Sequence, residues 1–475
     1  MATHACQKIC IFSTAFLAPG LYKPKDIRMT QEDILQNPEK YDLSIESVGQ
    51  GTLKSPMSGV PFVSDTERVA LTADTKKLQA FYKKGIDVPS LETAGPRETI
   101  FHDPAWTRAG IVTCGGLCPG LNNVIKSLVT VLWFDYGVRN IFGIPYGYRG
   151  LNPSYGYPPI MLNPDVVDAI QDDGGTILGS SRGNQEPSVM VDTLMRLNIN
   201  VLFCIGGDGT LRGAHAIAQE VKKRKQPISV IGIPKTIDND LNLIDRTFGF
   251  ETAVLSATNV ITSAHNEANG AFNGLGLVKL MGRDSGFIAA YAALATTVVN
   301  FCLVPEVPFT LEGENGLFKA LENRYDCGKT HAVLAVAEGA GQHLFDGQEE
   351  RRDASGNILK KDIGEFLTLK IKEHFDKVGK EINIKYFDPS YTVRSIPAKG
   401  TDAIFCYQLA ENAVHAAMAG KTDMVVGSMN GTFSHVPIEY AVSERRKIDP
   451  NGALWHAVLG ATRQQDYFTG KRRKK

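Results

Sequence analysis

From about residue 109 the apolar residues of this chain come in short unbroken runs, each closed by glycine or proline. The runs are 109–113, 140–145, 200–205, 228–233, 276–281, 301–304 and 331–337. Between them lie longer stretches with apolar residues three to four positions apart, at 187–197, 211–224, 251–266, 285–298 and 401–419. Continuous apolar runs read as strands buried on both faces, and the spaced stretches read as covering helices. The alternation predicts α/β architecture with parallel sheets. Such sheets bind ligands beyond the carboxyl ends of their strands, and this sequence places its unusual residues there.

Residues 1–105 lack that rhythm and are rich in turn signals such as Leu17–Gly20 and Lys54–Met57, which predicts an N-terminal extension lying on the main body. The segment Val88–Pro96 reads as a linker. The basic end Lys471–Lys475 reads as a solvated tail. Length alone, 475 residues, predicts two or three domains.

Composition narrows the function classes. With 51 basic and 51 acidic side chains the formal net charge is zero, so nothing global draws the chain to nucleic acid or an anionic membrane. An anionic substrate must be held by a few local cations. No run approaches the roughly 20 apolar residues that span a bilayer. The segment Ile9–Ala18 is too short and too weakly preceded by charge to read as a cleaved signal. Eight cysteines, including the pairs Cys6/Cys10 and Cys114/Cys118, show no metal-site rhythm and read as thiols of a cytoplasmic protein.

The chemistry sits at the strand ends. After the first strand comes Cys114–Asn122, whose glycines either admit a phosphate close to the backbone or serve tight packing. The third strand ends in Gly206-Gly-Asp-Gly-Thr210, a loop able to wrap a phosphate chain while Asp208 holds Mg2+. The next ends in Pro234-Lys-Thr-Ile-Asp-Asn-Asp240. If that segment stays extended, Asp238 and Asp240 face one side, one as base and one orienting a cation. An Asx-rich turn is the alternative. Met281-Gly-Arg-Asp-Ser-Gly286 offers Gly282 for close approach and Arg283 as a cation for a phosphoryl group in flight. Arg182, at the end of Gly174–Gly183, Glu338 after its strand, and Tyr391–Arg394 complete the set. Neither common nucleotide fingerprint is present, although Gly420-Lys-Thr422 resembles the end of a Walker loop.

In this order GGLCPGLN, GYRGL, GGTILGSSRG, GGDGT, PKTIDND, KLMGRDSGF, AEGAGQ and YTVR resemble the 6-phosphofructokinase family over roughly residues 105–450. The details look most like its long ATP-dependent branch of plants and protists. The resemblance implies two doubly wound parallel-sheet domains with the active site between them. One comprises residues 106–249 with part of 395–450, the other residues 250–394, and residues 451–475 form a tail. It implies transfer of a phosphoryl group from ATP to fructose 6-phosphate in a homo-oligomer, a dimer or tetramer.

Carried over position by position, Asp238 is the base for the sugar 1-hydroxyl, with Thr236, Asp240 and Arg283 at the reacting groups. Gly116, Tyr148, Arg182, Gly183 and the loop Gly207, Asp208, Gly209 and Thr210 hold ATP, with Asp208 on Mg2+. Thr236, Ile237, Asp238, Met281, Gly282, Arg283, Glu338, Tyr391 and Arg394 hold the sugar phosphate. Gly209 and Lys235 occupy the positions tied to donor choice. The pyrophosphate-using branch, the rival reading, carries aspartate at the first and lysine at the second. One departure stands out. Bacterial members have an arginine, reaching the neighbouring subunit's sugar phosphate, where this chain has Gly274, and Lys385 is a candidate substitute.

Overall fold

A computed structural model describes residues 29–345, 347 and 359–464. Cys6, Cys10, the segment Ile9–Ala18 and the basic end of the chain lie outside the described residues.

Two sheets organise the chain. In the larger, of nine strands, five run parallel in the spatial order Asn140–Ile144, Arg108–Thr113, Val201–Gly206, Ser229–Pro234 and Met424–Met429. In chain order that is 2-1-3-4-5, so the direction of winding reverses between Arg108–Thr113 and Val201–Gly206. Loops leaving the carboxyl ends of those two neighbours diverge to opposite faces and leave a crevice between them. The smaller sheet has four parallel strands, ordered Phe301–Leu303, His331–Ala337, Gly274–Leu280 and Asn383–Phe387.

Strand alternation assigns the cores. Val201, Phe203 and Ile205 pack with the helices Leu121–Thr130 and Gly400–Met418, while Leu202 and Cys204 pack on the other face with Pro187–Arg196 and Asp208–Lys223. In the small sheet Leu275 and Leu277 face Leu317–Asp326 and Ile363–Lys377. Val278 and Leu280 belong to the same apolar cluster as Phe203 and Ile205, through the helices Phe250–Asn269 and Phe287–Thr296. One core therefore ties the two sheets together and fixes how their carboxyl ends are placed.

Two expectations change at the ends of the chain. Residues 1–105 do more than lie on the body: Arg68–Ala70 and Ser90–Thr93 extend the large sheet antiparallel beyond Thr432–Pro437. The segment read as a linker contains one of these strands. Residues 451–475 are not simply a tail. Helix Ala453–Thr462 buries Trp455 and Val458, and the Gln464 side chain accepts from the Cys302 amide at 2.6 Å. Leu454, Trp455, Val458 and Leu459 carry the three-to-four spacing that makes this end helical.

The added strands are anchored by a buried ionic knot. Glu92 accepts from Arg97 at 2.8 Å, from Lys421 at 3.0 Å and from His435 at 3.0 Å, and Lys421 also meets Asp65 at 3.1 Å. Thr422 accepts from the Val230 amide. The Walker-like Gly420-Lys-Thr422 is thus part of the sheet scaffold. Burial opposes the charge on Glu92, but its partners outweigh it and hold the carboxyl at about 2. His435 is itself driven toward the neutral form by burial, so at neutral pH it donates a hydrogen bond, and Lys421 and Arg97 supply the charge.

A buried ion pair that loses one partner typically costs about 3–5 kcal/mol. Glu92→Gln should therefore lower unfolding free energy by roughly that amount in urea titrations at pH 7. Because the folded-state pKa is depressed, the difference from the parent should persist above pH ~4.5 and shrink as pH falls toward 2. A pH-independent difference would remove the ionic knot as its source.

Candidate active site

The crevice at the winding reversal is lined by backbone and cations. Strand Arg108–Thr113 leads into Gly115, whose φ of 87° lies in the left-handed region, and then Gly116. The turn Gly174–Gly183 is stitched to this loop: the Gly115 amide donates to Ser181 O at 3.0 Å and Ser180 Oγ to Gly115 O at 2.6 Å. Gly183 follows with φ 102°. Lys235, buried, donates to Gly116 O at 2.6 Å. A Cβ on Gly116 would stand 3.5 Å from Arg182 Nη2 and 3.3 Å from Arg394 Nη1. Three cations thus converge on two glycines. Burial pulls the Lys235 pKa down, and repulsion from Arg182 and Arg394 adds to the effect. Such a group gains from an arriving polyanion.

Across the crevice, Val201–Gly206 runs through Gly207 into helix Asp208–Lys223, whose first amides have no partners within the helix. Gly209 faces open space, with no atom beyond its own helical turn within 4 Å of where its Cβ would be. Thr210 is buried and donates its amide to Gly207 O. Tyr148 differs from expectation. Buried, with its hydroxyl on Thr210 O at 2.6 Å, it braces the loop from behind and does not line the open side.

The strand Ser229–Pro234 delivers the acidic loop. It does not stay extended: residues 237–238 turn, and Asn239 takes φ 51° with its carboxamide oxygen on the Thr247 amide. Asp238 and Asp240 are brought together by this turn. Thr236 Oγ1 accepts from the Asp238 amide at 3.1 Å and donates to Asp240 Oδ1 at 3.3 Å, while Ile237 is buried beneath. Oδ1 of Asp238 is buried with no hydrogen-bond partner among the described residues. Burial, then Asp240 and Glu338, push the Asp238 carboxyl up to about 8, against Arg445 and Arg283. Asp240 is raised by burial as well, with Arg445 opposing. The two titrate as a pair.

The small sheet supplies the third wall. Strand Gly274–Leu280 ends at half-buried Met281 and at Gly282, whose φ of 132° suits glycine. A Cβ on Gly339 would fall 1.9 Å from Arg283 O, so the Arg283 turn and the Glu338 turn are packed backbone to backbone. Burial raises the Glu338 carboxyl, with Arg283, Lys279 and Arg394 opposing. Ser285 Oγ donates to Asp238 O at 3.3 Å and links this wall to the acidic loop. Arg394 stacks 4.8 Å from the Tyr391 ring centroid, and Tyr391 itself is 77 % exposed, at the rim.

Gly274 and Lys385 lie elsewhere. Gly274 starts its strand, where a Cβ would meet Ala268 O at 2.0 Å, so no side chain fits. Lys385 pairs in register with Gly276, four residues and about 13 Å before the carboxyl end. It lines an outer groove with Ser263, Asn266 and Glu267.

Two participants were not singled out from sequence. Arg445 Nη1 lies 2.5 Å from Asp284 Oδ2 and 3.6 Å from Asp240 Oδ2, and its Nη2 lies 3.7 Å from Asp208 Oδ2. Asp284 also pairs with Lys360 at 3.0 Å. Asp284 lies within Met281-Gly-Arg-Asp-Ser-Gly286, whereas Arg445 sits in Ser443-Glu-Arg-Arg-Lys447, which has no pattern to mark it.

Asp238 yields a stability signature. Its folded-state pKa is raised, so its contribution favours folding at low pH and is lost as pH rises from about 4 to about 8. Asp238→Asn should raise Tm at pH 8 and lose that advantage toward pH 4–5. A variant no more stable than the parent at pH 8 would contradict the crowding of charge described here.

The Phosphofructokinase family profile matches residues 108–417. An ATP-dependent 6-phosphofructokinase of Borreliella burgdorferi is 48 % identical over 437 residues, covering 90 % of this chain and 97 % of the relative. The enzyme of the same name from Entamoeba histolytica is 45 % identical, covering 87 % and 93 %. Among solved structures, a pyrophosphate-dependent phosphofructokinase from Marinobacter aquaeolei superposes with TM-score 0.60 at 20 % identity, covering 75 % of this chain and 91 % of that one. The glycine crevice, the paired aspartates and the Arg283 turn are thus set in a fold shared with these enzymes, and the chain belongs to the phosphofructokinase family.

Proposed function

We propose that the protein transfers the γ-phosphoryl group of ATP to the 1-hydroxyl of fructose 6-phosphate, giving fructose 1,6-bisphosphate and ADP. The observation that carries this reading is the buried Asp238 Oδ1, without a hydrogen-bond partner among the described residues, set between the cation-lined glycine crevice and the Arg283–Glu338 wall. In its ionised form, which Arg445 and Arg283 favour, a carboxylate so placed accepts a hydroxyl proton as the oxygen attacks phosphorus. Thr236 fixes its backbone, and Arg283 offsets charge on the phosphoryl group as it passes. The phosphates of ATP fit the helix start at Gly207–Thr210, the backbone at Gly116 and the cations Arg182 and Lys235. The sugar phosphate fits the wall of Met281, Gly282, Glu338 and Arg394, with Tyr391 at the rim.

The donor set suits Mg2+. Among the described residues no group of three or more His, Cys, Asp or Glu forms a metal cage. Mg2+ is usually held by one or two carboxylates together with substrate phosphates. Asp208, at the helix start and facing Asp240 across Arg445, would hold it. The ion would supply neutralisation of the β- and γ-phosphate charge.

A cytoplasmic setting and a homo-oligomer belong to the same proposal. The described cysteines are free and all but Cys327 are buried, which suits a reducing compartment, and among the described residues no helix is long and apolar enough to cross a membrane. Exposed Leu255, Tyr291, Ile404 and Tyr407 suit burial against a second copy.

If Asp238 is the base, Asp238→Asn should lower kcat by roughly 10²–10⁴ with little change in either KM. Near-normal turnover by the folded variant would eliminate the role.

Donor choice tests the reading as a whole. Lys235 is shared with pyrophosphate users, but Gly209 opens onto the crevice, and a carboxylate there would repel the α-phosphate of ATP. Aspartate at 209 has room and sits in the first turn of a helix, where it is favourable, so the variant should fold. The parent should use ATP and essentially no pyrophosphate, and Gly209→Asp should abolish ATP use. The measurement is kcat/KM for both donors in both proteins. Robust pyrophosphate turnover by the parent, or undiminished ATP use by the variant, would overturn the assignment.

A further inference from the structure

Arg445 occupies an unusual position. Its guanidinium pairs with Asp208 and Asp240, which follow strands of the large sheet, and with Asp284, which follows a strand of the small one. Asp208 and Asp284 each have a further cation, Arg212 at 3.2 Å and Lys360 at 3.0 Å, but those reach one carboxylate apiece. The guanidinium lies between the three carboxylates, 2.5 Å from Asp284, 3.6 Å from Asp240 and 3.7 Å from Asp208.

The backbone behind it is fixed to both halves. Leu241 and Arg445 form an antiparallel bridge, and the Arg446 amide donates to Asp240 O at 2.8 Å. Three residues on, the Ile448 amide donates to Glu306 Oε1 at 2.9 Å, the same oxygen that accepts from the Gly286 amide at 3.0 Å. The side chain, 27 % exposed, is less constrained than this frame. A long, weakly hydrated cation on a fixed base can withdraw toward solvent when a stronger positive charge arrives.

We propose that Arg445 is a positioning residue that acts as the resident cation of this carboxylate cluster. It keeps the acidic loops of the two sheets together, and it denies the cluster to a free divalent cation, so that the metal enters only with the phosphates of the nucleotide. The proposal rests on the reading of Asp208 as the residue that holds the metal.

The test uses Mn2+ alone as probe, without nucleotide or sugar, with free Mn2+ read by electron paramagnetic resonance. The parent should bind Mn2+ weakly. Arg445→Gln, which keeps polarity but removes the charge, should bind it roughly tenfold more tightly or better. Adding Asp208→Asn to that variant should return binding to the weak level. Arg445→Lys, too short to reach all three carboxylates, should fall between parent and Arg445→Gln. It carries the test if the glutamine variant fails to fold. Unchanged Mn2+ affinity in the folded charge-removing variant, or in the lysine variant standing in for it, overturns the proposal. So does a gain that survives Asp208→Asn. The donor assay with Gly209→Asp is read independently, so failure of the reaction assignment and failure of this inference are distinguishable.

Discussion

Like charge crowded into a partly buried cleft is the condition on which the rest of the site depends. Asp208, Asp238 and Asp240 come from loops of one sheet and Asp284 from the other, and Asp238 and Asp240 are buried enough that both resist ionisation. Such a cluster is unstable alone, and its neighbours read as the response to it: Arg445 among three carboxylates, Arg212 and Lys360 on the flanks. On the facing side the problem is inverted, since Lys235, Arg182 and Arg394 meet at Gly115 and Gly116. An acidic pole thus faces a basic one across a gap lined by glycine. Positioning and charge of this kind supply most of the catalysis in phosphoryl transfer.

The single core joining the sheets is what makes such a cleft durable. Packing in protein interiors leaves little freedom for two sheets sharing one apolar cluster to slide. Three turns with positive φ, at Gly282, Asn239 and Gly115, follow strands whose carboxyl ends line the site. These are the turns that bring Arg283, the aspartate pair and the crevice backbone into one place.

Much of this was legible in the sequence because the chemistry follows strand ends, and buried parallel strands announce themselves as unbroken apolar runs. The strands ending at Thr113, Gly206, Pro234, Leu280 and Ala337 were all visible in that way. What escaped had other physical causes. Ser90–Thr93 is short and flanked by prolines, so its apolar content never exceeds that of a loop, and its place in the sheet is decided by Glu92 meeting residues more than 300 positions away. The helix at Ala453 was hidden by its nearness to a basic end. The Asx-rich spacing around Asn239 admits both a turn and an extended segment, and the choice falls to Thr247, a partner that local pattern does not point to. Arg445 was invisible for the same reason: its role is defined by three residues distant in sequence.

The order of strands in the large sheet also has a bearing on how the chain is made. Ser90–Thr93 leaves the ribosome well before its neighbour Thr432–Pro437. Met424–Met429, which seals the open edge of Ser229–Pro234, arrives just before it. Between those points in synthesis, then, one flank of the large sheet has unpaired backbone and an exposed apolar face. Contacts that span so much of the chain are slow to form, and open strand edges invite pairing with other molecules. The interval between the emergence of residue 234 and that of residue 437 is therefore when this protein is most exposed to aggregation, and when a chaperone that shields strand edges would matter most to its yield.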